Sequence, residues 1–164
     1  MSAEPANLSE ALIEHLADAV IFADRDGVIR LWNAGAQAVF GYAPDEVIGQ
    51  RLDLLIPERL RAAHWTGFDA AIATGTMKHG RESMTTRSMH KDGTDLYVDL
   101  SFALVRDAAG QVLGAVAVAR DITGRFRAEK ETRRRIAELE EQVSALQGPG
   151  AADASGAGGP GGAG

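Results

Sequence analysis

The chain has 164 residues, with 23 Asp and Glu against 17 Lys and Arg, no cysteine, and 45% hydrophobic residues. This length favours one domain with short flanking segments, large enough to bury a core without disulfides or metal ions. The lack of cysteine excludes a disulfide framework, a thiolate metal site and a cysteine nucleophile. The formal net charge of −6 excludes a broadly basic surface for nucleic acid.

The sequence also bears on the localisation of the protein and on its domain organisation. No apolar run approaches the roughly 18 residues needed to cross a membrane, and residues 1–8 lack the pattern of a signal peptide. We therefore expect a cytoplasmic protein with no membrane or nucleic-acid partner. Residues 148–164 are almost entirely Gly, Ala and Pro, which predicts a disordered tail. We expect a disordered N-terminus over residues 1–7, a globular domain over 8–123 and a helix over 124–147.

The first half of the globular segment alternates short helices with strands. Two apolar runs flank an Asp-rich turn at Gly27, which is typical of a hairpin. Asn33 is placed to cap the helix that follows, and Gly41 to end it. Pro44 and Pro57 stand where two further helices begin, and Thr74 and Gly75 stand where the second of these ends. In chain order the predicted elements are a helix over Ser9–Leu16, strands over Ala19–Ala23 and Val28–Trp32, and helices over Ala34–Phe40, from Pro44, and over Glu58–Ala73.

In the second half of the globular segment, apolar residues recur at every second position. Apolar residues from Leu96 to Leu104 alternate with polar ones, so one face of a strand is apolar. Turn signals at Lys91–Thr94 and Asp107–Gly110 separate this strand from two others, over Arg81–Met89 and Val112–Ile122. The sequence therefore predicts an α+β fold with a five-stranded antiparallel sheet, short helices over one face, and flanking N- and C-terminal helices.

The C-terminal helix carries an apolar seam. Ile136, Leu139, Val143 and Leu146 are spaced three, four and three residues apart, as at the a and d positions of a coiled coil. Two such heptads are marginal alone. The seam is therefore either a contact in a homodimer or a strip packed on the domain.

Five short motifs in the sequence resemble those of a PAS sensory domain (PAS fold, S-box type), and they occur in the same order as in that family. They are Val28–Asn33, Phe40–Tyr42, Glu46–Gly49, Lys91–Thr94 and Arg120–Thr123. The resemblance implies a five-stranded sheet whose inner face encloses a ligand pocket. It also implies a role in signal transduction, as in bacterial two-component signalling or the regulation of transcription.

The resemblance also implies how the domain passes on its state. In PAS proteins the last strand couples to an output helix through the motif that stands here as Asp121, Ile122 and Thr123. Relatives often dimerise through flanking helices, so we expect a homodimer. No kinase, cyclase or DNA-binding segment follows the domain in this sequence. We therefore expect either that a separate signalling partner, a kinase or a regulator, carries the output, or that this chain is a piece of a longer protein.

The stretch Leu55–His64 resembles haem PAS oxygen sensors of the FixL and Dos type, whose proximal iron ligand is the histidine at this place. Leu60, His64 and Phe68 recur every four residues, which predicts that His64 lies on a buried apolar stripe. A neutral imidazole in an apolar pocket suits haem iron. We therefore expect haem b, with His64 as the metal ligand. The flavin photochemistry of light-oxygen-voltage domains is excluded, because it needs a cysteine.

The opposite side of this pocket is predicted from the strands. Leu100 and Phe102 match positions where the haem sensors carry apolar residues, and Met84 stands where they place an arginine. Strand parity predicts that Met84 faces inward, since Arg81 and Arg87 share the other face. Met84 is either a sixth iron ligand or apolar filling. Two further positions are Trp65, where those sensors tend to carry an acid, and His79, which we expect near the pocket mouth.

Two functions remain open on the sequence. No carboxylate pair lies in a readable motif with a histidine and a nucleophile, so we do not expect an enzyme. The first hypothesis is a PAS sensor that binds a small ligand, haem being the candidate for gas or redox sensing, and relays through its C-terminal helix. The alternative is a ligand-free PAS module that serves as a dimerisation and interaction scaffold in transcriptional or two-component regulation.

Overall fold

The structure, a computed structural model, describes residues 8–78 and 82–148. Residues 1–7 and 149–164, where the sequence predicts disordered ends, lie outside the described residues, and so do His79 and Arg81. The chain divides into two compact units, of which the first ends at Gly124 and the second begins at Arg125. Among the described helices, none has an apolar stretch long enough to cross a membrane.

The described elements follow the predicted order along the chain. Asn33 and Gly41 bound the second helix, and Gly75 ends the fourth, as the capping signals predict. The third strand is shorter than predicted and begins at Met84. The elements are α1 (Leu8–Glu14), β1 (Ala19–Asp24), β2 (Ile29–Trp32), α2 (Ala34–Phe40), α3 (Pro44–Val47), a 3₁₀ turn (Leu52–Leu55), α4 (Glu58–Thr74), β3 (Met84–Met89), β4 (Asp95–Arg106), β5 (Val112–Asp121) and α5 (Thr123–Gln147).

The five strands form one antiparallel sheet in the order β2-β1-β5-β4-β3. Because side chains alternate across a strand, the paired residues Ala19 and Ala119 share one face with Leu96 and Val98 of β4. This inner face carries the core. The buried core joins it to side chains of β2, α2, α3 and the 3₁₀ turn: Ile29, Trp32, Ala36, Phe40, Val47 and Leu55. The predicted α+β fold is confirmed.

The side chain of Asn33 joins α1, β1 and α2. It is 1% exposed, and its Oδ1 accepts the N–H groups of Ala36 in α2 at 2.9 Å and of Val20 in β1 at 2.8 Å. Its Nδ2 donates to the carbonyl oxygens of Ile13 at 2.9 Å and of Asp18 at 3.1 Å. A side-chain amide offers donors and acceptors at once, so one residue fixes the chain before β1 and the first turn of α2 together.

Close packing surrounds this amide. A Cβ atom on Gly35, the second residue of α2, would lie 2.2 Å from the carbonyl oxygen of Asp18, which is far inside van der Waals contact. On the other side of α2, the rings of Trp32 and Phe40 lie 5.6 Å apart. The Trp32 indole N–H donates to the carbonyl oxygen of Tyr42 at 3.0 Å. Helix α2 is therefore closely packed near both of its ends.

Replacing Asn33 tests how much the fold depends on this amide. Asn33→Ala leaves two buried N–H groups and the carbonyl groups of Ile13, Leu16 and Asp18 without their partner, and we expect the free energy of unfolding to fall by about 3 kcal/mol. Urea denaturation of both proteins measures the loss. The matched control is Gln37→Ala on the exposed face of α2. An Asn33→Ala protein as stable as this control would contradict the assignment.

Candidate ligand site and signalling junction

Helix α4 lies over the sheet without entering the core. It packs on β5, and none of its residues is fully buried. Leu60, His64, Phe68 and Ile72 are half-buried, whereas most residues between them are exposed. The predicted four-residue period is therefore present, but the expectation of a buried stripe is wrong. The stripe is only half-covered because α4 forms the outermost layer over a sheet whose neighbouring positions are alanines.

His64 has an unusual environment on this stripe. Its ring contacts Trp65 edge-on, with centroids 4.9 Å apart, and stacks on Phe68 at 5.9 Å. Its Nδ1 is buried and has no hydrogen-bond partner among the described residues. Burial lowers the pKa of the imidazole, and the carboxylates of Asp53 and Asp69 oppose this effect only in part. His64 is thus held as a neutral imidazole, the form that binds metals.

Trp65 fastens the N-terminal half of α4. Its indole N–H donates to Oδ1 of Asp53 at 2.7 Å, and the Arg51 guanidinium lies 4.1 Å from the ring centroid. The ring also covers the β1–β2 turn, where a Cβ on Gly27 would lie 2.3 Å from it. Gly27 has a φ of +74°, so glycine is favoured there on both grounds. In the sequence, Trp65 stands out only because the haem sensors tend to carry an acidic residue at this position. In the structure, its contacts hold α4 against the 3₁₀ turn and the β1–β2 turn.

Arg106 fastens the other end of α4. Its guanidinium donates to the carbonyl oxygen of Gly75, directly after the helix, and to that of Gly110 in the β4–β5 turn. A cation at a helix C-terminus satisfies carbonyl groups that have no partner in the helix. Sequence reasoning missed Arg106, since no local signal distinguishes it from any arginine at a strand end.

The inner face of the sheet is less covered toward the end of β4. Leu96 and Val98, early in β4, are buried in the core, but Leu100, Phe102 and Leu104 are half-buried. The last three pair across the sheet with alanines of β5, Ala119, Ala117 and Ala115. The role of Leu100 and Phe102 as pocket lining stays a prediction.

Met84 lies on the predicted face but is not enclosed. It pairs with Leu100 and shares strand parity with Ser88, whose hydroxyl donates to the carbonyl oxygen of Leu55 at 2.6 Å. Arg87 lies on the other face, where it donates to the Tyr97 hydroxyl at 2.9 Å. Met84 is nevertheless 40% exposed. It begins an edge strand, so it is covered less than parity alone suggests.

The residues present fit a haem held through one histidine. Among the described residues there is no cluster of three or more His, Cys, Asp or Glu that could hold a bare metal ion. Haem needs less from the protein, because the porphyrin supplies four ligands and one neutral imidazole completes the proximal side. His64 offers a neutral ring with an unpartnered buried nitrogen beside apolar surface. Met84 stands where the haem sensors carry an arginine, and its side chain offers no hydrogen-bond donor.

The junction before α5 is tied to β4. The Thr123 hydroxyl donates to Oδ1 of Asp121 at 2.6 Å and accepts the N–H of Tyr97 at 2.9 Å. The Thr123 N–H also donates to Asp121, at 2.8 Å. Between them, buried Ile122 donates its N–H to the Tyr97 carbonyl oxygen at 2.9 Å. All three predicted junction residues thus join the end of β5 and the start of α5 to one residue of β4.

Comparison with known proteins identifies the family. A family model described as the PAS fold matches residues 7–122. The chain belongs to the PAS family. The PAS domain of a protein from Colwellia psychrerythraea has the same fold, with a TM-score of 0.62 and 24% identity over 71% of this chain and 95% of that one.

Two relatives are proteins of Escherichia coli. The signal transduction histidine-protein kinase AtoS is 31% identical over 139 residues, which are 84% of this chain and 21% of AtoS. The oxygen sensor protein DosP is 29% identical over 126 residues, 77% of this chain and 15% of DosP. The chain thus spans about a fifth or less of the length of these curated relatives.

Removing the Asp121 carboxylate tests the junction. Asp121→Ala deletes two hydrogen bonds to Thr123, and we expect a loss of about 1 kcal/mol in the stability of the first turns of α5. Hydrogen exchange there should quicken about fivefold, while exchange in the core stays unchanged. Asp107→Ala is the matched control, because Asp107 accepts two N–H groups in the β4–β5 turn. Unchanged exchange in α5 of Asp121→Ala would contradict the assignment.

Proposed function

We propose that this chain is a non-catalytic PAS sensor module. It binds a small ligand between α4 and the inner face of the sheet, and relays the bound state through Asp121, Ile122 and Thr123 to α5. The observation that carries the proposal is the unpartnered, buried Nδ1 of His64 beside half-covered apolar side chains. A buried polar atom without a partner is costly, and a bound ligand is one way to satisfy such an atom.

Haem b is the proposed ligand. His64 would be the axial ligand, with Leu60 and Phe68 lining the pocket from α4 and Leu100 and Phe102 from β4. Bound haem would supply an iron centre that takes diatomic gases and changes oxidation state. The protein contributes a neutral imidazole and apolar walls. The relation to DosP, described as an oxygen sensor, supports this choice.

Met84 determines the character of the other side of the pocket. Its thioether has no N–H or O–H, so it offers no charge-assisted hydrogen bond of the kind an arginine gives. We expect the site to favour carbon monoxide over oxygen, because carbon monoxide gains less from such a donor. The alternative role, a sixth iron ligand, predicts that Met84→Ala converts a six-coordinate ferrous spectrum to a five-coordinate one.

Haem reconstitution tests the ligand. The native chain should take up one equivalent of haem, with a Soret band that shifts in carbon monoxide, and His64→Ala should lose stoichiometric uptake. The fold should survive, since His64 lies outside the buried core, and circular dichroism checks this. His15→Ala, which changes an exposed histidine bonded to its own helix, is the control. Absence of uptake by the native chain, or equal uptake by His64→Ala, would show haem to be wrong and leave either another ligand or the ligand-free scaffold.

Self-association is the second part of the proposal. All four residues of the α5 seam are 48–87% exposed. Helix α1 and the turn after it carry another apolar row, Leu8, Leu12 and Leu16, which is also exposed. Exposed apolar rows at helical spacing favour a partner helix. We propose a homodimer that uses α5, through which a partner kinase or regulator receives the signal.

A charge in the seam tests the dimer. Leu139→Asp places a carboxylate at a d position, and we expect the dissociation constant to rise by at least about tenfold. Sedimentation equilibrium measures it. Ala137→Asp adds the same charge outside the seam and should change little. A native chain that stays monomeric at high concentration would contradict self-association.

A further inference from the structure

Arg106 stands at the end of an apolar row on the inner face of the sheet. Side chains at every second position of a strand share one face, so Leu100, Phe102, Leu104 and Arg106 of β4 lie on the same side. The first three are half-buried, whereas Arg106 is exposed. An arginine keeps its charge at any physiological pH. The row that begins in the core therefore ends in a permanent cation at the surface.

The pairing of β4 with β5 keeps Arg106 on this face. Between Gly114 and Val112 the register skips Leu113, so the extra residue of this bulge belongs to β5 and not to β4. The alternation along β4 therefore continues to its last residue. It is from the inner face that the Arg106 guanidinium reaches Gly75 at the end of α4. The end of the apolar row and the end of the helix meet at this side chain.

Two backbone carbonyl groups hold the Arg106 guanidinium in place. Nη1 donates to the carbonyl oxygen of Gly110 at 2.9 Å, and Nη2 donates to that of Gly75. The guanidinium also packs on the backbone, because a Cβ atom on Gly75 would lie 2.9 Å from Nη2. A side chain that is already held at two points loses little conformational freedom when it binds another group.

These contacts leave the charge of Arg106 without a carboxylate partner in residues 8–78 and 82–148. Its neighbour Asp107 is engaged in the β4–β5 turn, where Oδ1 accepts the N–H groups of Ala109 and Gln111. A guanidinium has five N–H donors, and the two carbonyl oxygens use two of them. Three donors therefore remain, and a carboxylate binds them more strongly than a neutral oxygen does.

Two other arginines show what distinguishes Arg106. Arg59 on the exposed side of α4 also has no carboxylate partner in the described part of the chain, and no hydrogen bond fixes its side chain there. Arg61 donates to one carbonyl oxygen, that of Ile56, at 3.0 Å. Arg106 combines two fixing contacts with a position at the end of an apolar row. An oriented cation beside apolar side chains suits a molecule with an apolar body and an acidic end.

We propose that Arg106 binds a carboxylate group of the ligand. This inference rests on the ligand site proposed above and names the chemistry that the site recognises. The apolar body of the ligand lies along Leu100, Phe102 and Leu104, and its carboxylate lies at the exposed end of this row, where it stays partly hydrated. Two neighbouring N–H groups of a guanidinium bind both oxygens of a carboxylate and so fix its orientation. The carboxylate comes from one of two sources, a propionate group of haem or the head group of a fatty acid.

Esterified haem tests the first source. Haem dimethyl ester keeps the porphyrin and the iron but has no free carboxylate, so the ratio of its dissociation constant to that of haem measures what the acidic groups contribute. We expect Arg106→Gln to lower this ratio about fivefold, because the carbonyl groups at the end of α4 remain and disfavour an anion. Soret titrations measure both constants. Each ratio is taken within one protein, so a general loosening of α4 cancels.

Octanoate and octanol test the second source in the same way, by isothermal titration calorimetry. Arg106→Gln should weaken the binding of octanoate about fivefold and leave that of octanol unchanged. Arg59→Gln removes the same charge from the exposed side of α4 and should keep the native ratio in both pairs. A fall in either ratio supports the proposal and identifies the source. Ratios that Arg106→Gln leaves unchanged in both pairs overturn this inference alone, whereas a native chain that binds none of the four compounds overturns the ligand site itself.

Discussion

The buried carboxamide of Asn33 is the contact on which the rest of this domain depends. Its hydrogen bonds fix where β1 begins relative to α1 and α2. The start of β1 sets the pairing of Ala19 with Ala119, and β5 in turn sets the register of β4. A slip of one residue would turn every inner side chain outward. The amide therefore acts on the whole sheet through its first strand.

The region beside α4 differs from the core because little of its surface is buried. There the helix is held near its middle by Trp65, which lies on the β1–β2 turn, and at its C-terminal end by Arg106 at Gly75, and none of its residues is fully buried. Segments with few buried contacts open at low free-energy cost, and binding sites are commonly drawn from such segments. The half-covered inner face and the unpartnered His64 nitrogen lie in this less stable layer. The ligand that we propose for this region could therefore shift α4 without disturbing the core.

Local signals in the sequence predict the fold well and the site only in part. Caps at Asn33 and Gly75 mark helix ends within a residue, and the period of two gives the inward face of β4. Periodicity does not say how much a neighbour covers that face, so the exposure of Met84 is not predictable from parity. The role of Trp65 depends on Asp53 and Gly27, which are distant in sequence. Contacts of that kind have no local signature.

We propose that a ligand binds beneath α4 and that its binding alters the junction before α5. Hydrogen exchange of the native chain, followed by mass spectrometry with and without one equivalent of haem, tests both parts of this proposal in one measurement. We expect protection concentrated in α4 and in the second half of β4, together with altered exchange in the first turn of α5. Protection confined to other elements, or none at all, would contradict it.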